Sequence, residues 1–126
     1  MDNYINTTKT TEELVDELKE NLTHTSASLA KALNAQDTYN QEKDPLEQLK
    51  KDLTLSKYIV EYISSFDEGT KLLTQVTALL VMYLNNKQYD EFKAVKKFAP
   101  DLKKISDNYQ LLNAIYQTQI LQDEIL

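Results

Sequence analysis

The sequence predicts an all-α protein, and three observations carry that reading. It holds one glycine (Gly69) and two prolines (Pro45 and Pro100) in 126 residues, so the tight turns that sheets need lack their usual residues. Leu, Lys, Glu, Gln and Ala together make up 60 of the 126 residues, and all are good helix formers. Apolar residues recur at alternating spacings of three and four, the period of a helix face. The expected architecture is an elongated, coiled-coil-like helical bundle of four to five helices. Residues 1–9 (MDNYINTTK) show no period and read as a flexible tail. Residues 10–126 read as a single α-helical domain, a length suited to one core.

The first helix opens at a capping box, with Thr10 as N-cap and Glu13 reaching back to its backbone N–H. Val15, Leu18, Leu22, Thr25, Leu29, Ala32, Gln36 and Tyr39 follow at heptad-like spacing, and the helix should run to about Glu42. Val15, Leu18, Leu22 and Leu29 form a stripe rather than an all-round apolar surface. The first 56 residues carry 11 acidic against 6 basic side chains. A stripe flanked by unbalanced charge predicts an interhelical seam with a more basic partner.

Asp44-Pro45-Leu46-Glu47 marks the start of a second helix, with Asp44 at the N-cap, Pro45 in the first turn and Glu47 completing a box. Leu46, Leu49 and Leu53 extend the partner-seam stripe, followed by Ser56, Val60 and Ile63. Leu55, Ile59, Tyr62 and Phe66 widen it, which implies contact with more than one neighbour. Ser64 to Gly69 then predicts a turn or local bend.

The third expected helix is LLTQVTALLVMYLNN, residues 72–86. Its unbroken apolar run from Leu79 to Leu84 is too short for a membrane span, which needs about 20 apolar residues. Apolar side chains all round mean burial all round, so Leu72, Leu73, Val76, Leu79, Leu80 and Tyr83 are core candidates. Asn85-Asn86 ends the helix. A short helix from Tyr89 to Ala99 contributes Val95, and Pro100 either kinks the chain or starts the last helix. That helix places Leu102, Ile105, Tyr109, Leu112 and Tyr116 on one face, with Leu102 and Ile105 in the core.

The chemistry-bearing residues are sparse. There is no cysteine, and the one histidine, His24, has no second soft ligand to share a metal. A single glycine cannot build a phosphate-cradling loop. The acidic run Glu12, Glu13, Asp16, Glu17 and Glu20 suits a helix N-terminus through the macrodipole. The reading is therefore non-catalytic, with no cofactor and no metal. A net charge of −6, with all fourteen basic residues lysine and none arginine, argues against nucleic acid. The lysines from Lys87 to Lys104 read as a solvated face or a seat for an acidic partner, with a phosphate or lipid surface as the rival. No charged-then-apolar leader opens the chain, so a cytosol-facing protein is expected. Of the eight tyrosines, Tyr58, Tyr62, Tyr83, Tyr109 and Tyr116 read first as packing at core edges rather than an interface.

LLTQVTALLVM followed by FKAVKKFAPDLKKI resembles the central region of the dynactin subunit 3 family, the small helical subunits of dynactin. Leu72, Leu73, Gln75, Val76, Ala78, Leu79 and Met82 carry the likeness, then Lys93, Ala94, Val95, Ala99, Leu102 and Ile105. Asp44-Pro45 and Ser56-Lys57 fall in compatible order upstream, so the resemblance covers residues 44–105. It implies a structural subunit of dynactin's shoulder, bundled with dynamitin and the largest arm subunit, cytoplasmic and cytoskeleton-associated. The whole complex supports dynein-driven minus-end transport along microtubules. Two other readings stay open from the sequence: an autonomous helical-bundle accessory protein of bacterial or phage type, and a small subunit of another coiled-coil complex at vesicles or kinetochores.

Overall fold

The computed structural model describes residues 10–121, and the expected tail at residues 1–9 lies outside them. Among the described residues there are four α-helices and no strand. They are α1 (Thr11–Gln41), α2 (Pro45–Asn85), α3 (Tyr89–Lys96) and α4 (Ala99–Tyr116), the last running on into a π-helical turn, Gln117–Leu121.

The start of α1 forms as its sequence dictates. The Thr10 hydroxyl accepts from the Glu13 N–H at 3.2 Å, and the Glu13 carboxylate accepts from the Thr10 N–H at 3.3 Å. Three residues, Glu42 to Asp44, then turn the chain back, so α1 and α2 form an antiparallel hairpin. Asp44 occupies the N-cap position but makes no side-chain cap bond, and Glu47 pairs with Lys50 instead of closing a box. The turn is held from the other side. Glu42 forms a 2.6 Å ion pair with Lys51 and accepts the Asp44 N–H at 3.2 Å. The Lys51 contact, then the backbone donors, hold the Glu42 carboxyl below its usual range.

The expected break at Ser64–Gly69 is absent. α2 runs unbroken for 41 residues, about 60 Å at 1.5 Å per residue. The stretch at 72–86 is its C-terminal part rather than a separate helix. Gly69 serves close packing instead of a turn: a Cβ there would collide with the Asn21 carboxamide oxygen and the Tyr109 hydroxyl. α2 ends in a Schellman arrangement, in which Gln88 N–H donates to Tyr83 C=O at 2.8 Å and Lys87 N–H to Leu84 C=O at 3.2 Å. Lys87 takes the left-handed position, with φ 59°.

α3 packs on the overhanging end of α2, and α4 returns alongside the hairpin, against both α1 and α2. Pro100 sits in the first turn of α4, where its missing N–H costs nothing. Two apolar clusters result. Leu14, Leu18, Val76, Leu79, Val95, Ile105 and Tyr109 fill one end. Leu29, Ala32, Leu55, Ile59, Tyr62 and Ile120 fill the middle, and Phe66 packs against both clusters. The π turn delivers Ile120, which is fully buried.

A polar node ties three helices together at the junction. The Thr25 and Ser65 hydroxyls bond at 2.5 Å, and the Asn21 carboxamide donates to the Ser65 carbonyl at 3.0 Å. From α4 the Tyr109 hydroxyl donates to Asn21 Oδ1 at 2.5 Å. Buried polar groups fix register because a shifted helix would leave them unpaired. Thr25 and Gln36, the polar members of the heptad-like series on the first helix, are both buried inside the chain.

Candidate protein-docking surface

α2 carries two apolar faces. The inward one is Leu55, Ile59, Tyr62, Phe66, Gly69, Val76 and Leu79, the residues that read as a widening in the sequence. The outward one is the regular three-four stripe itself. Leu46 is 61% exposed, Leu49 63%, Leu53 72%, Val60 65% and Ile63 46%. The same spacing continues without a slip through Asp67, Thr70, Thr74 and Thr77 to Val81 and Leu84, which are 53% and 49% exposed. Both faces keep a period of three and a half, so they stay on opposed sides along the helix.

The polar middle of the stripe is less polar than its letters. Thr70, Thr74 and Thr77 direct their hydroxyls to their own helix, donating to the carbonyls of Asp67, Thr70 and Leu73 at 2.9, 3.0 and 3.0 Å. Their hydrogen-bonding demand is met without a partner. Along one flank stand Lys50, Lys57 and Lys71, each exposed. Lys50 reaches Glu47 and Lys71 reaches Asp67, both at 3.1 Å.

The seam residues expected from the sequence divide by helix. Leu46, Leu49 and Leu53 are open to solvent. On α1, Val15, Leu18 and Leu29 are buried in the chain's own clusters, and Leu22 is half-buried against them. The α1 stripe is therefore no free seam: the antiparallel return of α2 covers it. Of the core candidates, Val76, Leu79, Val95 and Ile105 are buried, while Leu72, Leu73, Leu80, Tyr83 and Leu102 are half-buried and pack against the same cluster. The node of Asn21, Ser65 and Tyr109 had no signal in the sequence, because each of its members is ordinary on its own helix.

Elsewhere the surface is shallow. His24 borders two open clefts between α1 and α2, one with Glu17, Glu20 and Glu68, the other with Glu61 and Ser64. No group of three or more His, Asp or Glu among the described residues is arranged to hold a metal ion. A further cleft of about 270 Å³ lies between Lys31, Ala35 and Thr38 of α1 and Lys51, Thr54 and Tyr58 of α2. No helix of the described residues is long and apolar enough to cross a membrane.

Compared with protein-family models, curated proteins and solved structures, the chain matches none of them.

Proposed function

We propose that the protein is a non-catalytic structural subunit of a multi-chain helical assembly, and that the outer stripe of α2 is where another helix joins it. The observation that carries this is the stripe itself: five large aliphatic side chains at heptad spacing, all open to solvent, on a helix whose opposite face is packed. A single exposed leucine needs no explanation, but a contiguous apolar patch marks an interaction site. A seam of this period accepts a helix by knobs-into-holes packing.

The assembly that the sequence resemblance points to is dynactin, with dynamitin and the largest arm subunit as partners and a cytoplasmic, cytoskeleton-associated setting. Support for that reading is limited to the likeness over residues 44–105, and α2 holds most of them. A second reading has its own observation. The α1 stripe closes inside the chain, as it would in an accessory protein that folds alone and binds its partner reversibly.

The double substitution Leu49→Asp with Leu53→Asp separates these readings. Both positions are exposed, so helix content and melting temperature should hold. Under the assembly reading the variant loses co-sedimentation with dynamitin and the largest arm subunit and fails to restore dynein-dependent transport. Retained co-sedimentation sinks the stripe as the joint. If the wild-type chain never enters that complex, the dynactin assignment falls and the docking surface stands alone.

A further inference from the structure

The charges beside the stripe say what kind of helix fits it. In heptad terms Leu46, Leu53, Val60 and Asp67 alternate with Leu49, Ser56 and Ile63 to form the seam. Lys50, Lys57 and Lys71 line one flank, and all three are exposed. The other flank begins with Asp52 and then turns into the core at Ile59 and Phe66. The flank open to a newcomer is basic, on a chain whose net charge is −6.

We propose that the seam is occupied by a helix of a different chain, one that sets carboxylates against Lys50, Lys57 and Lys71, and not by a second copy of this protein. This rests on the assembly reading above. Two copies aligned in parallel would bring two Asp67–Lys71 ion pairs together with carboxylate against carboxylate in the seam, where like charges lose water and gain no counter-ion beyond the lysine each already has. Only Asp52 could serve the facing lysines. Two copies aligned antiparallel would run one lysine flank beside the other. Flanking charges decide which helices pair and in which direction, and here both self-pairings are opposed. A foreign helix with glutamates on its edge satisfies Lys50 and Lys57 along Leu46–Ile63, and Lys71 as well where it runs one heptad further. The existing Lys50–Glu47 and Lys71–Asp67 pairs are exposed contacts within one helix, weak enough to give way readily. The mainly apolar part of the seam, from Leu46 to Ile63 with Ser56 as its one polar position, is about 27 Å long at 1.5 Å per residue. The partner therefore needs no more than about three heptads in contact.

The test uses the full chain and two designed helical peptides of about three heptads, with identical Leu/Ile seams and either glutamate or lysine on both flanks. The chain alone should sediment as a monomer. The glutamate peptide should bind about tenfold more tightly than the lysine peptide at low salt, with the gap closing as salt rises. Lys50→Glu with Lys57→Glu should reverse the order, and Leu53→Asp should abolish both. If both peptides bind equally and Leu53→Asp abolishes both, the seam survives and the charge rule is wrong. A dimer of the chain alone that Leu53→Asp disperses would make the occupant a second copy. Binding of neither peptide would overturn the seam and this proposal together.

Discussion

Tyr62 and Tyr109 share a titration behaviour and differ in what their hydroxyls do. Burial pushes both phenols up to about 12, with Tyr116 adding to the effect at Tyr62. Tyr109 donates to Asn21, whereas the buried Tyr62 hydroxyl has no hydrogen-bond partner among the described residues. Removing a satisfied hydroxyl strands its partner, while removing an orphan relieves a desolvation cost. Tyr109→Phe should therefore lose about 1–3 kcal/mol in a denaturant titration, and Tyr62→Phe should be neutral or stabilising. Destabilisation of the Tyr62 variant by as much as the other would show an unseen partner. The pH response follows from the same burial. The folded chain keeps these protons up to about 12, while an ordinary phenol loses its own near 10. The stability difference is complete below the lower value and declines as pH climbs through that window. Melting temperature followed from neutral to strongly alkaline pH checks the sign. Gly69→Ala is the third case. Alanine favours a helix interior by about 1 kcal/mol over glycine, yet its methyl would strike the Asn21 and Tyr109 side chains that form the node. Net destabilisation of about 1–3 kcal/mol is expected, and a gain on melting would mean that the node yields.

At the scale of the elements, the clearest strain is at the end of α2. Lys87 holds a left-handed conformation that suits glycine. Lys87→Gly should stabilise by about 1 kcal/mol, since a side chain there disfavours that geometry by 1–2. An unchanged or lowered melting temperature would show that the lysine side chain is held by contacts that matter more. The helices themselves were largely legible. Thr10 and Glu13 announced the start of α1, but its stripe of Val15, Leu18, Leu22 and Leu29 read as a seam for another chain, because nothing local to α1 says that α2 folds back over it. α2 was harder because it has two apolar faces of equal period, and no local signal says which one turns inward. The more regular stripe, at Leu46, Leu49 and Leu53, turned out to face water. Gly69 misled for a related reason. A glycine reads as a break unless the tyrosine that crosses it, 40 residues further on, is known. The π turn that brings Ile120 inward left no mark in the sequence at all.

For the whole molecule, substitutions on the two stripes should part company. Leu18 is fully buried between helices of its own chain, so Leu18→Asp with Leu22→Asp should unfold the bundle instead of merely releasing a partner. An uncompensated charge in such a core costs several kcal/mol. Leu49→Asp with Leu53→Asp should leave circular dichroism intact, and a comparable loss of ellipticity in both variants would erase the distinction between core and seam. The hairpin's uneven cover has a further effect, on time rather than on affinity. The described part of the chain after α4 ends just past Ile120, which packs with Leu29 and Ile59, and among the described residues the hairpin tip beyond it is formed by α1 and α2, with the Glu42–Lys51 pair across the turn. Segments with fewer buried contacts open more often. Amide protons of residues 36–52 should exchange with deuterium well before those of residues 62–79, and a helix laid along Leu46, Leu49 and Leu53 should slow the tip first. The same end of the molecule would then be the first to breathe when alone and the first to fall quiet when joined.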